Sequence, residues 1–140
     1  MYKLWPRRDP VRNCFLVPNE VFTLNLTRGA LAVYFYLLCC ENRKTYQCWP
    51  SYKTIGRAVG MSQNTVRKYV SELEERGLIV AEPTTVTTKD GRKRNGNLLY
   101  TIRPIREAVE LRDQQLLRQV EEASERMRLE KLLANRERPA

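Results

Sequence analysis

The sequence predicts a mainly α fold with a small β-hairpin, an α+β chain closed by a long C-terminal helix. Three observations lead to this reading. Apolar residues recur at helical spacing through residues 28–76, the pattern turns extended and β-branched after Gly77, and residues 105–138 contain neither glycine nor proline.

Taken in order, residues 1–26 read as an extended N-terminal arm. Pro6, Pro10 and Pro18 stand too close together for a helix, and Phe15-Leu16-Val17 and Val21-Phe22-Thr23-Leu24 offer apolar side chains to a core. Thr27 is a good N-cap, and Ala30 to Cys40 is apolar nearly all round, so this helix should be the central, most buried one. Tyr34, Phe35, Tyr36, Leu37 and Leu38 are assigned to its core. Residues 41–50 read as a polar loop ending in Trp49-Pro50, with the Trp49 ring clamping the loop onto the core.

Ser51 caps a short helix with Ile55, Ala58 and Val59 on one face, and Gly60-Met61 interrupts it. Ser62 caps the next helix, over 62–76, where Val66, Val70 and Leu73 keep i, i+4, i+7 spacing and Gly77 suits a left-handed C′ position. Leu78-Ile79-Val80 and Thr84–Thr88 then run out, and Lys89-Asp90-Gly91 turns. Arg92-Lys93-Arg94 follows, and Leu98–Ile102 returns, making a hairpin with a long basic tip.

Pro104 restarts a helix as its N1 residue. Residues 105–136, if helical throughout, span about 48 Å. Val109, Leu116 and Ala123 are seven apart, as are Val120 and Met127, which gives an apolar seam of coiled-coil character that Asp113 and Glu130 interrupt.

Composition narrows the chemistry. There is no histidine, which removes the commonest general base and neutral metal ligand. Cys14, Cys39, Cys40 and Cys48 make no C-x-x-C pair, so the thiols are expected to be buried or idle rather than zinc ligands or disulfides. No cofactor or small-molecule ligand is evident. No signal peptide opens the chain, and the longest apolar run, Gly29–Cys40, is too short to cross a bilayer, so no membrane partner and a cytoplasmic location are expected. The net charge is +9, and all of the excess lies in residues 1–104, with residues 105–140 neutral. A positive field concentrated in this way suits a polyanion, nucleic acid first.

The stretch SYKTIGRAVGMSQNTVRKYVSELEERGLI, residues 51–79, carries the function. Two helices open with the same S-x-x-T, at Ser51 and Ser62, around a very short turn. Gly56 lets the helices approach, Gly60 allows a positive φ, and Val66, six residues on, fills the angle between them. These are the requirements of a helix-turn-helix, whose second helix enters the DNA major groove.

With the hairpin added, residues 15–104 resemble a winged helix-turn-helix domain of the bacterial type found in small transcriptional regulators and plasmid-replication initiators. The phrases that carry the resemblance are Val17-Pro18-Asn19, Trp49-Pro50-Ser51, Thr65-Val66-Arg67, Leu73 with Gly77-Leu78-Ile79, and Asn97 to Tyr100. The chain is most similar to such proteins on mobile elements of low-GC Gram-positive bacteria. The expected organisation is an arm over 1–26, the DNA-binding domain over 27–104, and a C-terminal helix over 105–140 serving dimerisation through Val109, Leu116, Val120, Ala123 and Met127.

Gln63, Asn64, Arg67 and Lys68 lie opposite Val66, Val70 and Leu73 and are the candidate base readers: Gln and Asn suit adenine, Arg suits guanine. Ser51, Tyr52, Lys53, Thr54, Ser62, Thr65 and Tyr69 are candidates for the DNA backbone, and Lys89, Arg92, Lys93 and Arg94 form the wing tip, suited to a flanking minor groove. Glu72, Glu74 and Glu75 read as solvated surface.

The leading expectation is sequence-specific binding of double-stranded DNA by a dimeric transcriptional regulator that is not an enzyme. The alternatives are a DNA-binding component of plasmid or mobile-element replication, and a winged-helix protein–protein adaptor, against which the basic recognition face and wing both count.

Overall fold

A computed structural model describes residues 13–137. Helices α1 (Arg28–Cys40), α2 (Tyr52–Val59) and α3 (Gln63–Glu75) pack around one core beside strands β1 (Gln47–Cys48), β2 (Ile79–Glu82) and β5 (Leu99–Ile102). Strands β3 (Thr85–Thr87) and β4 (Lys93–Asn95) form a separate two-stranded ribbon, and α4 (Ile105–Glu137) leaves the far side. The three-stranded sheet runs β1-β5-β2, antiparallel, with Cys48 opposite Tyr100 and Ala81 opposite the same residue.

The core gathers Val21, Val33, Leu37, Ile55, Val66, Leu73 and Leu78 together with the rings of Tyr34 and Tyr100, all essentially inaccessible to water. Burial pushes the Tyr34 phenol up to about 12, with the Glu41 charge adding to it, and raises Tyr100 likewise. The exit from α3 is a Schellman motif. Gly77 sits at φ 76°, Leu78 N–H donates to the Leu73 carbonyl and Gly77 N–H to that of Glu74, both at 3.0 Å.

Several expectations need correction. The segment Val21–Leu24, read as extended, is a 3₁₀ turn over Asn19–Thr23 that follows Pro18. Val21 and Leu24 are both buried, and in a 3₁₀ turn three-residue spacing places them on one face, whereas an extended strand would split them. Leu16, expected to anchor the arm, is exposed; Pro6 and Pro10 lie outside the described residues.

The loop 41–50 contains β1, which pairs with β5 and adds a Gln47 Nε2 to Thr101 Oγ1 bond at 3.1 Å. That pairing, together with Ile102 N–H donating to the Tyr46 carbonyl, anchors the loop, so the Trp49 ring is not needed for it and stands 63% exposed. Of the four thiols expected to be buried or idle, Cys48 is buried, which pushes it up to about 12, while Cys14 ahead of α1 and Cys39 and Cys40 at its end are exposed. Glu72, read as solvated, accepts the Thr27 N–H at 3.2 Å and the Thr27 hydroxyl at 2.9 Å, tying α3 to the start of α1.

The root of α4 is anchored: Ala108 is buried, Val109 packs against the core, and Arg112 donates to the Thr23 carbonyl. Residues 113–137 are exposed throughout, so α4 does not fold back over the head. Among the described residues no helix is long and apolar enough to cross a membrane.

Candidate nucleic-acid interface

The two S-x-x-T sequences fold identically. Ser51 Oγ accepts Thr54 N–H at 3.1 Å, and Ser62 Oγ accepts Thr65 N–H at 3.3 Å. In each pair the two hydroxyls also share a hydrogen bond, at 2.9 Å for Ser51–Thr54 and 2.8 Å for Ser62–Thr65. One N-terminal amide of each helix is thereby satisfied, and the remaining first-turn amides stay available to an anion.

Between the helices, Gly60 takes the left-handed conformation at φ 72°, and its N–H and that of Met61 both return to the Gly56 carbonyl. A Cβ on Gly56 would lie 2.4 Å from the Met61 carbonyl oxygen, so only glycine admits this close a turn. Val66 is fully buried at the junction. These contacts fix α3 relative to α2.

Burial of Val66, Val70 and Leu73 on one side of α3 leaves Gln63, Asn64, Arg67 and Lys68 together on its exposed side. Ser62 is exposed at the cap and Thr65 is half-buried. The Arg67 guanidinium lies 5.6 Å from the centre of the Tyr52 ring, and Lys68 Nζ lies 5.6 Å from that of Tyr69. At exposed positions such contacts are worth about 0.5–1 kcal/mol, enough to bias the two cations toward one arrangement without locking them. Tyr52 and Tyr69 are half-buried against the core, and the Tyr69 ring covers Gly29 so closely that a Cβ there would overlap it. Their rings pack on the core while remaining partly exposed. Lys53 and Thr54 are exposed on the first turn of α2.

The wing is built in two stages. β2 and β5 pair inside the sheet, and beyond them β3 and β4 pair through Val86 opposite Arg94 and Thr87 opposite Lys93. At the tip, Thr88 donates both its N–H, at 2.8 Å, and its hydroxyl, at 3.1 Å, to the Arg92 carbonyl. Lys89, Arg92, Lys93 and Arg94 are all exposed. At its base the wing meets α2: Asn97 Nδ2 donates to the Trp49 carbonyl at 3.3 Å, and Gly96 to Leu98 share a small cleft with Pro50 to Tyr52. This contact between the wing base and the start of α2, and the bond between Glu72 and Thr27, had no local sequence signal, because each joins residues about 45 positions apart.

Among the described residues no group of His, Cys, Asp or Glu side chains is placed to hold a metal ion. What the exposed face offers is a row of hydrogen-bond donors and cations.

Residues 24–79 match the family model of a helix-turn-helix domain. Similar solved structures include a possible transcriptional regulator from Methanosarcina mazei Go1, 17% identical over 79% of this chain and 97% of that one, with a TM-score of 0.44. Bordetella bronchiseptica BpsR, described for the regulation of its DNA binding by 6-hydroxynicotinic acid, is 20% identical over 83% of this chain and 78% of its own, TM-score 0.39. S. aureus MepR in complex with DNA is 15% identical over 83% and 85%, TM-score 0.39. No curated protein sequence matches the chain.

Proposed function

We propose that the helix-turn-helix domain of residues 24–79 makes this chain a sequence-specific binder of double-stranded DNA that acts in transcription regulation. The observation that carries the reading is the α3 face. Gln63, Asn64, Arg67 and Lys68 stand together, exposed, on a helix whose attitude is fixed from behind by Val66 and by the Gly56–Gly60 turn. Inserted in the major groove, Gln63 and Asn64 reach adenine edges and Arg67 the O6/N7 edge of guanine, each good bidentate pair contributing about 1–3 kcal/mol of discrimination. Ser51, Lys53, Thr54 and the first-turn amides of α2 and α3 meet phosphates and set register. The basic wing tip extends the contact to the neighbouring groove, where a narrow minor groove attracts arginine.

The same reading makes the protein a homodimer through α4. Leu116, Val120 and Met127 lie on one face and are 51%, 62% and 63% exposed. Covering the exposed half of each recovers roughly 1 kcal/mol per side chain, about 6 kcal/mol over two copies. Set against an association cost of at least about 4 kcal/mol, this supports a weak dimer that two adjacent half-sites on DNA would tighten. Val109, counted with this seam in the sequence, packs on the chain's own core and so contributes little to it.

The test is selection from a random duplex pool at two salt concentrations, with the full chain beside a Gln63→Ala/Asn64→Ala/Arg67→Ala variant. An enriched motif that the variant loses is the expected result, and two-fold symmetry in the motif would accompany a dimer. Binding without enrichment and with a steep salt slope would reduce the reading to phosphate contact, and no binding to any duplex would overturn it.

A further inference from the structure

Away from the α3 face, a cleft of about 770 Å³ opens between the N-terminal segment, the end of α1 and the β5–α4 junction. That volume lies within the range of small-molecule sites, which typically hold about 300–1,000 Å³. Its walls are apolar, with Val17 on one side, Leu38 at the back, and Ile102 and Ile105 along the floor. Two charged side chains are set into them, Glu41 and Arg103. Glu41 ends α1, and its Oε2 is shielded from solvent yet accepts no hydrogen bond from any described residue.

A shielded carboxylate oxygen without a donor is costly, and the structure shows the cost. Burial raises the Glu41 carboxyl above its ordinary value, and Arg43 offsets this only in part. The nearby cations are committed elsewhere. Arg43 donates to the Cys14 carbonyl at 2.7 Å, and Arg103, which lines the same cleft, makes a bidentate pair with Glu107 at 2.9 and 2.7 Å. The wall also carries Asn19, Tyr46 and the Tyr34 hydroxyl, and the last of these stays protonated beside the carboxylate. An apolar cleft with a single unmet acceptor specifies its ligand.

We propose that this cleft binds a small organic cation, an apolar body carrying one protonated nitrogen that donates to Glu41 while the body packs between Val17, Leu38 and Ile105. Such a ligand rests on Pro104 and Ile105, the root of α4, so its occupancy bears on the direction in which α4 leaves the head. The inference is independent of DNA binding, because no residue of the α3 face or the wing lines the cleft.

A charge series on one aromatic body tests it: 2-naphthylmethylamine, 2-naphthylmethanol and 2-naphthoic acid, titrated into the full chain by calorimetry at neutral pH. The net charge of +9 repels cations in general, so a preference for the amine reports a local site rather than bulk attraction. The amine is expected to bind about tenfold tighter than the alcohol, the usual worth of one charge-assisted hydrogen bond, and the acid least well. Glu41→Gln, close to isosteric, should remove the tenfold preference and leave the alcohol unchanged. Val17→Trp, at the half-buried rim, should weaken both. Equal binding of amine and alcohol, an amine preference that survives Glu41→Gln, or no saturable binding of the amine would each overturn the proposal and leave the DNA-binding reading untouched.

Discussion

Alanine usually stabilises a helix where it replaces glycine, by about 1 kcal/mol, through backbone entropy. Gly56→Ala in α2 should do the opposite. The added Cβ would sit 2.4 Å from the Met61 carbonyl oxygen, and reaching even the tightest tolerated contacts of 3.0 Å requires a shift of some tenths of an ångström. The atom that must move is backbone. It belongs to the turn whose Met61 N–H bonds the Gly56 carbonyl at 2.9 Å, and moving it separates α2 from α3 over the fully buried Val66. Overpacking of this kind costs about 1–3 kcal/mol, and with backbone as the obstacle the upper end applies, so the net loss is about 2 kcal/mol. For a domain of this size that lowers Tm by roughly 5–10 °C. Near-UV circular dichroism is the right probe, since it reports the buried Tyr34 and Tyr100 and is insensitive to the exposed length of α4. Gly60 supplies the contrast. Its φ is +72° with no atom within 4 Å of a Cβ, so Gly60→Ala bears only the left-handed penalty of about 1–2 kcal/mol, and Gly60→Asn should recover much of it. A Gly56→Ala variant as stable as the wild type would refute the close approach on which the geometry of α3 rests.

Thr27→Ala removes both the cap of α1 and the hydroxyl that donates to the Glu72 carboxylate, and should lower Tm by a few degrees for a loss of about 1 kcal/mol; adding Glu72→Ala should cost less than its separate effect, because the two residues share one interaction. Glu41 makes stability depend on pH with a defined sign. Its folded carboxyl holds a proton above the ordinary value of 4.5, so the native state binds more protons than the unfolded chain just above that value, and stability falls as pH rises through the window. Glu41→Gln should therefore melt higher than the wild type at pH 7, with the difference vanishing below about pH 4; a constant or reversed difference would contradict the burial argument. Leu116→Ser/Val120→Ser/Met127→Ser should abolish the concentration-dependent rise in mass expected of the wild type on sedimentation at millimolar concentrations, while leaving the melting of the head unchanged.

What the sequence made legible follows the range of each signal. The caps at Thr27, Ser51 and Ser62, the Gly60 turn and the Gly77 exit are decided within four or five residues, and all of them take the expected form. So is the exposed quartet on α3, because once Val66, Val70 and Leu73 face the core the opposite side is fixed by a helical period. Failures begin where the deciding partner is remote. Gln47-Cys48 is too short to show a period, and only β5, more than fifty residues on, makes it a strand. Trp49 looked like a clamp because a large apolar ring in a polar loop is normally buried, yet the backbone pairing beside it had already anchored the loop.

The 3₁₀ turn at Asn19–Thr23 and the cleft beyond it extend the same argument. The spacing of Val21 and Leu24 was readable, but Pro6, Pro10 and Pro18 ahead of them made an extended arm the simpler choice, and the turn is selected by what lies beneath it. Glu41 was unremarkable in sequence, one acid at the edge of a polar loop. Its chemistry comes from three segments that converge around it, Val17 from the N-terminal stretch, Tyr34 and Leu38 from α1, and Ile102 to Ile105 from the passage into α4. A site of that kind has no motif, because its single charge matters only through the apolar surfaces that surround it. The α3 face is the opposite case, its residues adjacent in sequence and its support supplied locally. The exposed α3 face was therefore foreseeable residue by residue, whereas the cleft could be recognised only once the chain had been folded around it.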